Sequence, residues 1–226
     1  MNKKTGIFGG TFDPIHFGHL FLAEAAADLF NLDRVLFFPN PDPYHRAFMQ
    51  VSPLEDRINM TKLAVLDNPG FEFSSFEIDL PGRSYTSRTL EAFHERFPDE
   101  ELYFIMGGDS LFSIEYWKDP EKIFGLAVIL SGKRSGQSRG ASGTLHPDLK
   151  CFSGKEKNAK ENADKDLDEK ISDLKEKFGA RIYNLHVPAI EISSSDIKDR
   201  IKNGSSIKYY TPDKVVDYIY EKRLYL

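Results

Sequence analysis

Cysteine is almost missing from this chain. Cys151 is the only one in 226 residues, so no disulfide can close within it. With so few thiols a zinc centre would need histidine spacing. His45, His94, His146 and His186 show none of the usual ligand intervals. An excess of basic charge is missing too. Lysine and arginine total 30 against 35 acids, a net charge of −5, which gives no broad positive field for nucleic acid. No apolar run approaches the roughly 20 residues that span a bilayer. Lys3 and Lys4 precede only a four-residue apolar strand and then glycines, which is not the layout of a signal peptide. We therefore expect a cytoplasmic protein with neither nucleic acid nor membrane as partner. Internal repeats are absent as well. Oligomeric state is not legible.

What is present is an ordinary globular balance, 40% hydrophobic and 29% charged, over a length that suits one domain, residues 1–226. The most informative stretch comes first. Thr5 to Phe8 is short, apolar and strand-like, and Gly9-Gly10 lets the backbone turn sharply and approach a ligand. Asp13-Pro14 signals a turn or helix entry, and an Ala- and Leu-rich helix follows over Leu20 to Phe30. Strand, glycine turn and helix start form an anion site, because backbone N–H groups and the helix dipole favour negative charge. His16 and His19 are three apart, so at a helix start they can face the same way and donate to a phosphate.

Further along, Arg34–Phe38 reads as a strand, 40–52 as a loop, and Pro53–Leu66 as a helix. Ser52 would cap that helix, with Leu54, Ile58 and Leu66 among its buried residues. Phe71–Leu80 reads as extended, Thr86–Phe97 as helix, Glu101–Met106 as a strand entering Gly107-Gly108-Asp109, and Ser110–Trp117 as helix. Leu126–Leu130 is a strand. Ser131–Asn162 has loop composition. Lys155–Lys177 is a dense mix of both charges, where Leu167, Ile171, Leu174 and Phe178 make one narrow apolar stripe on a charged helix. Arg181–Val187 is a last strand, and Ser193–Lys202 and Pro212–Leu224 are helices. Strands alternating with helices imply an α/β fold, a doubly wound parallel sheet. Its ligand belongs outside the strand ends that carry Gly9-Gly10 and Gly107-Gly108.

The string Gly9-Gly10-Thr11-Phe12-Asp13-Pro14-Ile15-His16-Phe17-Gly18-His19 resembles the signature of the nucleotidylyltransferase superfamily, in the form seen in the bacterial nicotinate-nucleotide adenylyltransferase family. Further segments resemble that family in the same order. They are Pro43-Tyr44-His45-Arg46, Ser84-Tyr85-Thr86 with Thr89-Leu90, Gly107 to Ser110 with Trp117, Ile192 to Lys198, and Tyr210 with Pro212, Val216 and Tyr218. The chain departs from the pattern at Tyr44 and Arg46, and at Lys198, where arginine is usual. The likeness spans residues 5–226 apart from a charged, partly flexible insertion at about 135–179.

The resemblance implies a Rossmann-like fold with C-terminal helices. It implies adenylyl transfer from ATP, with Mg²⁺, to nicotinate mononucleotide in NAD biosynthesis. His16 and His19 would be catalytic, binding phosphate oxygens. Gly9, Gly10, Thr11, Phe12, His45, Arg46, Gly107, Asp109, Ser193, Ser194, Ser195 and Lys198 would bind nucleotide. Tyr85, Thr86 and Trp117 would form the nicotinate pocket, and no residue is assigned to a resident metal. Nicotinamide mononucleotide or pantetheine phosphate as acceptor, or a non-catalytic nucleotide sensor, are the alternatives. Several residues also fit plain structural roles: Asp109 and Ser193–Ser195 as helix caps, Trp117 as core.

Overall fold

Strands that are apolar at successive positions demand cover on both faces of a sheet, and the computed structural model supplies it. It describes residues 2–43, 51–132, 155–185 and 192–226, with backbone alone for 155–166. Among the described residues six parallel strands run in the order β3-β2-β1-β4-β5-β6. They are β1 (Lys3–Gly10), β2 (Arg34–Pro39), β3 (Phe71–Phe73), β4 (Glu100–Gly107), β5 (Ala127–Gly132) and β6 (Ile182–Leu185). The helices are α1 (Phe17–Phe30), α2 (Leu54–Val65), α3 (Phe76–Asp79), α4 (Thr86–Arg96), α5 (Gly108–Leu111), α6 (Pro120–Leu126), α7 (Lys155–Phe178), α8 (Ser194–Lys202) and α9 (Asp213–Glu221).

Strand residues divide by parity. Val35, Phe37, Tyr103, Ile105, Val128 and Leu130 pack with α1, α2, α8 and α9 on one face. Leu36, Phe38, Leu102, Phe104 and Ile129 pack with α4, α6 and α7 on the other. This is the doubly wound arrangement. The apolar stripe of α7 docks as its spacing implies: Leu167, Ile171 and Leu174 are buried, and Phe178 stacks on Phe124 with ring centres 4.8 Å apart. The order of the strands reverses between β1 and β4, which pair directly, Phe8 opposite Ile105. Their C-terminal ends therefore open one crevice, flanked by Gly9-Gly10 and Gly107.

Several expectations are corrected. Phe71–Leu80 is not one extended run; it is β3 followed by the single turn α3. Phe76, Ile78 and Leu80 alternate as a strand would, but the Phe76 N–H donates to Ser74 Oγ (3.2 Å) and Ser75 Oγ donates to Asp79 (2.8 Å). These local bonds curl the chain. Pro53, not Ser52, takes the N-cap position of α2. That helix buries Arg57, Met60, Thr61 and Val65, while Leu54 and Ile58 are half-buried and Leu66 is 65% exposed. The inward face is set by an arginine, a residue that apolar periodicity assigns to solvent. Ser110–Trp117 is not a single helix but α5 and a 3₁₀ turn over Ile114–Tyr116. Residues 155–162, which share loop composition with the stretch before them and charge with the helix after them, are helical; Ser131 and Gly132 close β5; and 133–154 lie outside the described residues. Pro212 is the N-cap of α9 and the helix ends at Glu221. The last strand is described over Ile182–Leu185, and 186–187 of the expected Arg181–Val187 lie outside the described residues.

Candidate active site

The crevice is a cavity of about 510 Å³. Of the residues singled out from sequence, it brings together Gly9, Gly10, Thr11, His19, Tyr85, Thr86, Gly107, Asp109 and Trp117. Two elements present it with glycine for different reasons. At Gly10 a Cβ would lie 2.8 Å from the Phe12 ring, so the turn itself needs glycine. At Gly107 a Cβ would have no atom within 4 Å, so the missing side chain leaves ligand space open.

His16 is the N-cap of α1 and closes a capping box with His19, the third helical residue. The His16 backbone N–H donates to His19 Nδ1 at 3.2 Å. In neutral His19 this bond assigns the proton to Nε2, making Nε2–H the donor on the opposite edge of the ring. The two imidazoles stack with centres 3.7 Å apart and planes 27° apart. Phe12 meets the His19 ring edge-on at 5.1 Å. The stacking explains Gly18: a Cβ there would stand 3.0 Å from His16 Cε1 and Nδ1. The expected pairing of the histidines is thus present, with a division of position. His19 faces the cavity; His16 is 1% exposed and lies behind it.

The turn between β1 and α1 is held from behind by side chains that are remote in sequence. Arg57 is buried, and its Nη1 donates to the carbonyls of Thr11 (3.0 Å) and Asn40 (2.7 Å), its Nε to that of Ser52 (3.1 Å). Ser194 Oγ donates to the Pro14 carbonyl (2.9 Å) and Thr211 Oγ1 to that of Ile15 (2.7 Å). The Asp13 carboxylate accepts from Tyr225 Oη (2.7 Å) and the Ser52 N–H (3.2 Å), and forms an ion pair with Lys198 Nζ. Burial alone would raise the pKa of Asp13. The hydrogen bonds from Lys198, Tyr225 and Ser52 outweigh it and hold the carboxyl below its ordinary range. Burial, helped by the Asp13 charge, pushes the Tyr225 phenol up. Burial also pulls the Arg57 guanidinium down, against the opposing pull of Asp13.

The remaining expected site residues are placed as follows. Phe12 is buried beneath the turn. Ser193 caps α8 by accepting from the Asp196 N–H, the role its position in a serine run allowed. Ser194 serves the turn, and Ser195 is exposed. Lys198 reaches Asp13 and sits 4.9 Å from the Tyr225 ring centre, outside the cavity lining. His45 and Arg46 lie outside the described residues. Trp117 is half-buried, donates to Ser113 Oγ at 3.3 Å and packs edge-on against Phe104. Sequence reasoning missed Glu77, a buried acid lining the cavity. It also missed the roles of Arg57, Asp13 and Tyr225. An acid inside an otherwise apolar stretch, and an aspartate inside the signature itself, were the available signals. Among the described residues no group of three or more His, Cys, Asp or Glu is placed to hold a metal. No helix among them is long and apolar enough to cross a membrane.

Comparison with known proteins agrees with this geometry. The cytidylyltransferase-like family profile matches residues 7–200. A relative from Lachnoclostridium phytofermentans is 38% identical over 99% of this chain and 100% of its own length. One from Dehalococcoides mccartyi strain CBDB1 is 36% identical over 100% and 98%. Both are named probable nicotinate-nucleotide adenylyltransferase. Among solved structures, Plasmodium falciparum nicotinic acid mononucleotide adenylyltransferase complexed with NaAD superposes with a TM-score of 0.70 at 19% identity, covering 99% of this chain and 97% of that one. Its complex with APC gives 0.68 at the same identity. These structures establish the shared Rossmann-like fold. The profile match across most of the chain, the full-length relatives and the paired histidines at the head of α1 together mean that this chain belongs to the cytidylyltransferase-like family of nucleotidylyltransferases.

Proposed function

We propose that this protein transfers the adenylyl group of ATP to nicotinate mononucleotide, giving nicotinate adenine dinucleotide and pyrophosphate, a step of NAD biosynthesis. The observation that carries this reading is the stacked His16–His19 pair, with His19 facing a crevice at the switch point of a parallel sheet. The names of the full-length relatives support the choice of acceptor.

The reaction needs no enzyme nucleophile. An oxygen of the mononucleotide 5′-phosphate attacks the α-phosphorus of ATP in line. A new P–O–P bond forms, the bond from the α-phosphorus to the bridging oxygen breaks, and the electron pair leaves on pyrophosphate. The chain's work is to position two polyanions and to stabilise charge that grows on the transferring group and leaving oxygen. His19 would donate Nε2–H to a phosphate oxygen, its ring angle fixed by the His16 N–H. His16 would support it by stacking, and by imidazolium charge when protonated. Gly9, Gly10, Thr11 and the N-terminus of α1 would meet phosphate through backbone N–H groups. Gly107 and Asp109 would lie by the adenosine. Tyr85, Thr86 and Trp117 would hold the pyridine ring, with N–H groups at the start of α4 available to its carboxylate. Arg46 and Lys198 would take the β- and γ-phosphates, with His45 beside them, and Phe12 and Ser193–Ser195 would shape the turn and α8 around the nucleotide.

Enzymes of this kind use a divalent metal with ATP. We assign Mg²⁺, which would enter with ATP, need few protein ligands and supply charge neutralisation to the phosphates. We also read the chain as a single domain, residues 1–226, carrying the insertion at about 135–179, and working in the cytoplasm. The deciding experiment is pyrophosphate release from ATP with nicotinate mononucleotide, nicotinamide mononucleotide or pantetheine phosphate. Highest kcat/KM with nicotinate mononucleotide is expected; a higher value with another acceptor reassigns the substrate, and no release with any of them refutes the enzyme.

A further inference from the structure

Glu77 is the feature of the cavity that the proposed mechanism leaves unused. It sits on α3, 8% exposed, in the lining shared with Ser84, Tyr85, Thr86 and Trp117. Among the described residues no lysine or arginine pairs with it. Its partner is Thr89 Oγ1 of α4 at 2.9 Å, and that hydroxyl also stands 3.2 Å from the Tyr85 carbonyl. The Tyr85 carbonyl already accepts the Thr89 N–H (3.0 Å), so the Thr89 hydroxyl can serve either state of Glu77: it donates to the carboxylate, or turns to Tyr85 and accepts from the protonated acid. An ionised Glu77 places in the acceptor pocket a negative charge with no cationic partner among the described residues.

The elements packed on α3 are β2 and α4. From β2 the neighbour is the apolar Phe38, whose ring stacks on Phe76; Arg34, at the far end of that strand, is bound to Glu100. On α4, Arg88 is turned to the carbonyls of Pro81 and Arg83, Glu91 pairs with Lys122, and His94, Glu95 and Arg96 lie beyond. Across the cavity the titratable groups are His19, Tyr85, Asp109 and Lys118. On α3 itself, Asp79 is held by Ser75.

We propose that Glu77 is a specificity-determining residue, whose charge sets how well the pocket takes an anionic pyridine carboxylate relative to the neutral carboxamide. Neutral Glu77 leaves the carboxylate unopposed; ionised Glu77 repels it and is nearly indifferent to the amide. Burial pushes the Glu77 carboxyl above its ordinary range, with the Ser84 and Thr89 hydroxyls opposing. The switch therefore lies at higher pH than for an exposed glutamate. This inference rests on the acceptor reading above.

The test is the ratio of kcat/KM for nicotinate over nicotinamide mononucleotide, measured in the intact protein between about pH 5 and pH 8. Both acceptors share the ribose phosphate and the ATP reaction. Titration of His19, of the phosphates and of any group handling them therefore cancels in the ratio. In the wild type the ratio should fall with rising pH by about tenfold or more. Glu77→Gln keeps a donor for Thr89 and should give a flat ratio near the low-pH value, which a purely structural role would not produce. A flat wild-type ratio overturns the inference without recourse to any variant, as does a slope that survives in Glu77→Gln. If neither acceptor is used at any pH, the acceptor reading falls and this inference falls with it.

Discussion

Lys198→Ala perturbs the ion pair behind the signature turn, and the structure sets the scale of the effect. The Asp13 side chain is 1% exposed and that of Lys198 19%. Removing one member of a fully buried pair costs about 3–5 kcal/mol, because the other is left as an uncompensated charge. Here two things reduce that figure. The ammonium is partly in water, and Asp13 keeps the Tyr225 hydroxyl and the Ser52 N–H. We expect a loss of about 2 kcal/mol, which in a chain of this length lowers the melting temperature by roughly 4–8 °C. A double-mutant cycle of Lys198→Ala and Asp13→Asn, followed by urea unfolding, should give a coupling energy of about 1–2 kcal/mol. ATP titration at saturating acceptor adds the second readout. Lys198→Ala should lose about ten- to a hundred-fold in kcat/KM, as expected for a charged hydrogen bond to the triphosphate. Lys198→Arg should stay near normal. Arg200→Ala should leave ATP use unchanged, since Arg200 donates to the Ser206 carbonyl (2.7 Å) and lies on the Tyr210 ring. A coupling energy of zero, with Lys198→Ala as stable as the wild type, would refute the clamp. A silent Lys198→Ala beside a damaged Arg200→Ala would refute the phosphate assignment.

Three other outcomes follow from the same geometry. His19→Ala should lower kcat by about 10²–10³ while leaving the protein folded, with about 1 kcal/mol lost with the capping box; a normal kcat under saturating substrates would remove His19 from the chemistry. Gly107→Ala should fold as well as the wild type, because φ near −70° suits alanine and no atom lies within 4 Å of the new Cβ. Its KM for ATP should nevertheless rise about tenfold as the methyl group takes ligand space, and an unchanged KM would place the adenosine elsewhere. Asp13 has a depressed folded-state pKa, so its stabilisation is full above the ordinary carboxylate pKa and lost as pH falls through the lower folded value. Melting scans from neutral to acid pH should show a shallower acid-side loss for Asp13→Asn than for the wild type, and parallel curves would contradict the linkage.

How much of this was legible in the sequence depended on whether the signal was local. Strands β1, β2, β4 and β5 are buried on both faces and read as short apolar runs. The stripe of α7 and the buried Ile197 and Ile201 of α8 follow from helical spacing, and the same register turns Lys198 and Arg200 in different directions, as the structure has them. The residues misread were those whose partners lie far along the chain. Apolar periodicity put Leu54, Ile58 and Leu66 inside α2. The true inward residue is Arg57, and the three carbonyls that make its burial possible belong to Thr11, Asn40 and Ser52, all outside α2. Ser52 looked like a helix cap because serine before proline usually is one. Its N–H is instead taken by Asp13, and its carbonyl by Arg57.

The same long-range contacts give a reason why the separate segments of the signature must occur together. A glycine turn followed by H-x-G-H presents the carbonyls of Thr11, Pro14 and Ile15 and the Asp13 carboxylate on the side away from the cavity. Buried acceptors of this kind are costly unless paired. Arg57 from α2, Ser194 and Lys198 from α8, Thr211 before α9 and Tyr225 after it supply the donors. The Phe17 N–H, at the start of α1, in turn donates to the Tyr210 carbonyl (3.0 Å). Fixing this turn fixes the first turn of α1, and so the His19 ring that faces the cavity. Ser194, Thr211 and Tyr225 at the C-terminal end thus act on chemistry at the N-terminal end without lining the cavity. On this reasoning Tyr225→Phe, which removes only the hydroxyl that donates to Asp13, should lower kcat more than it raises the KM for either substrate. The loosened turn would misplace a donor needed in the transition state and barely alter ground-state binding. A rise in KM alone, with kcat intact, would show that the C-terminal tail merely stabilises the fold.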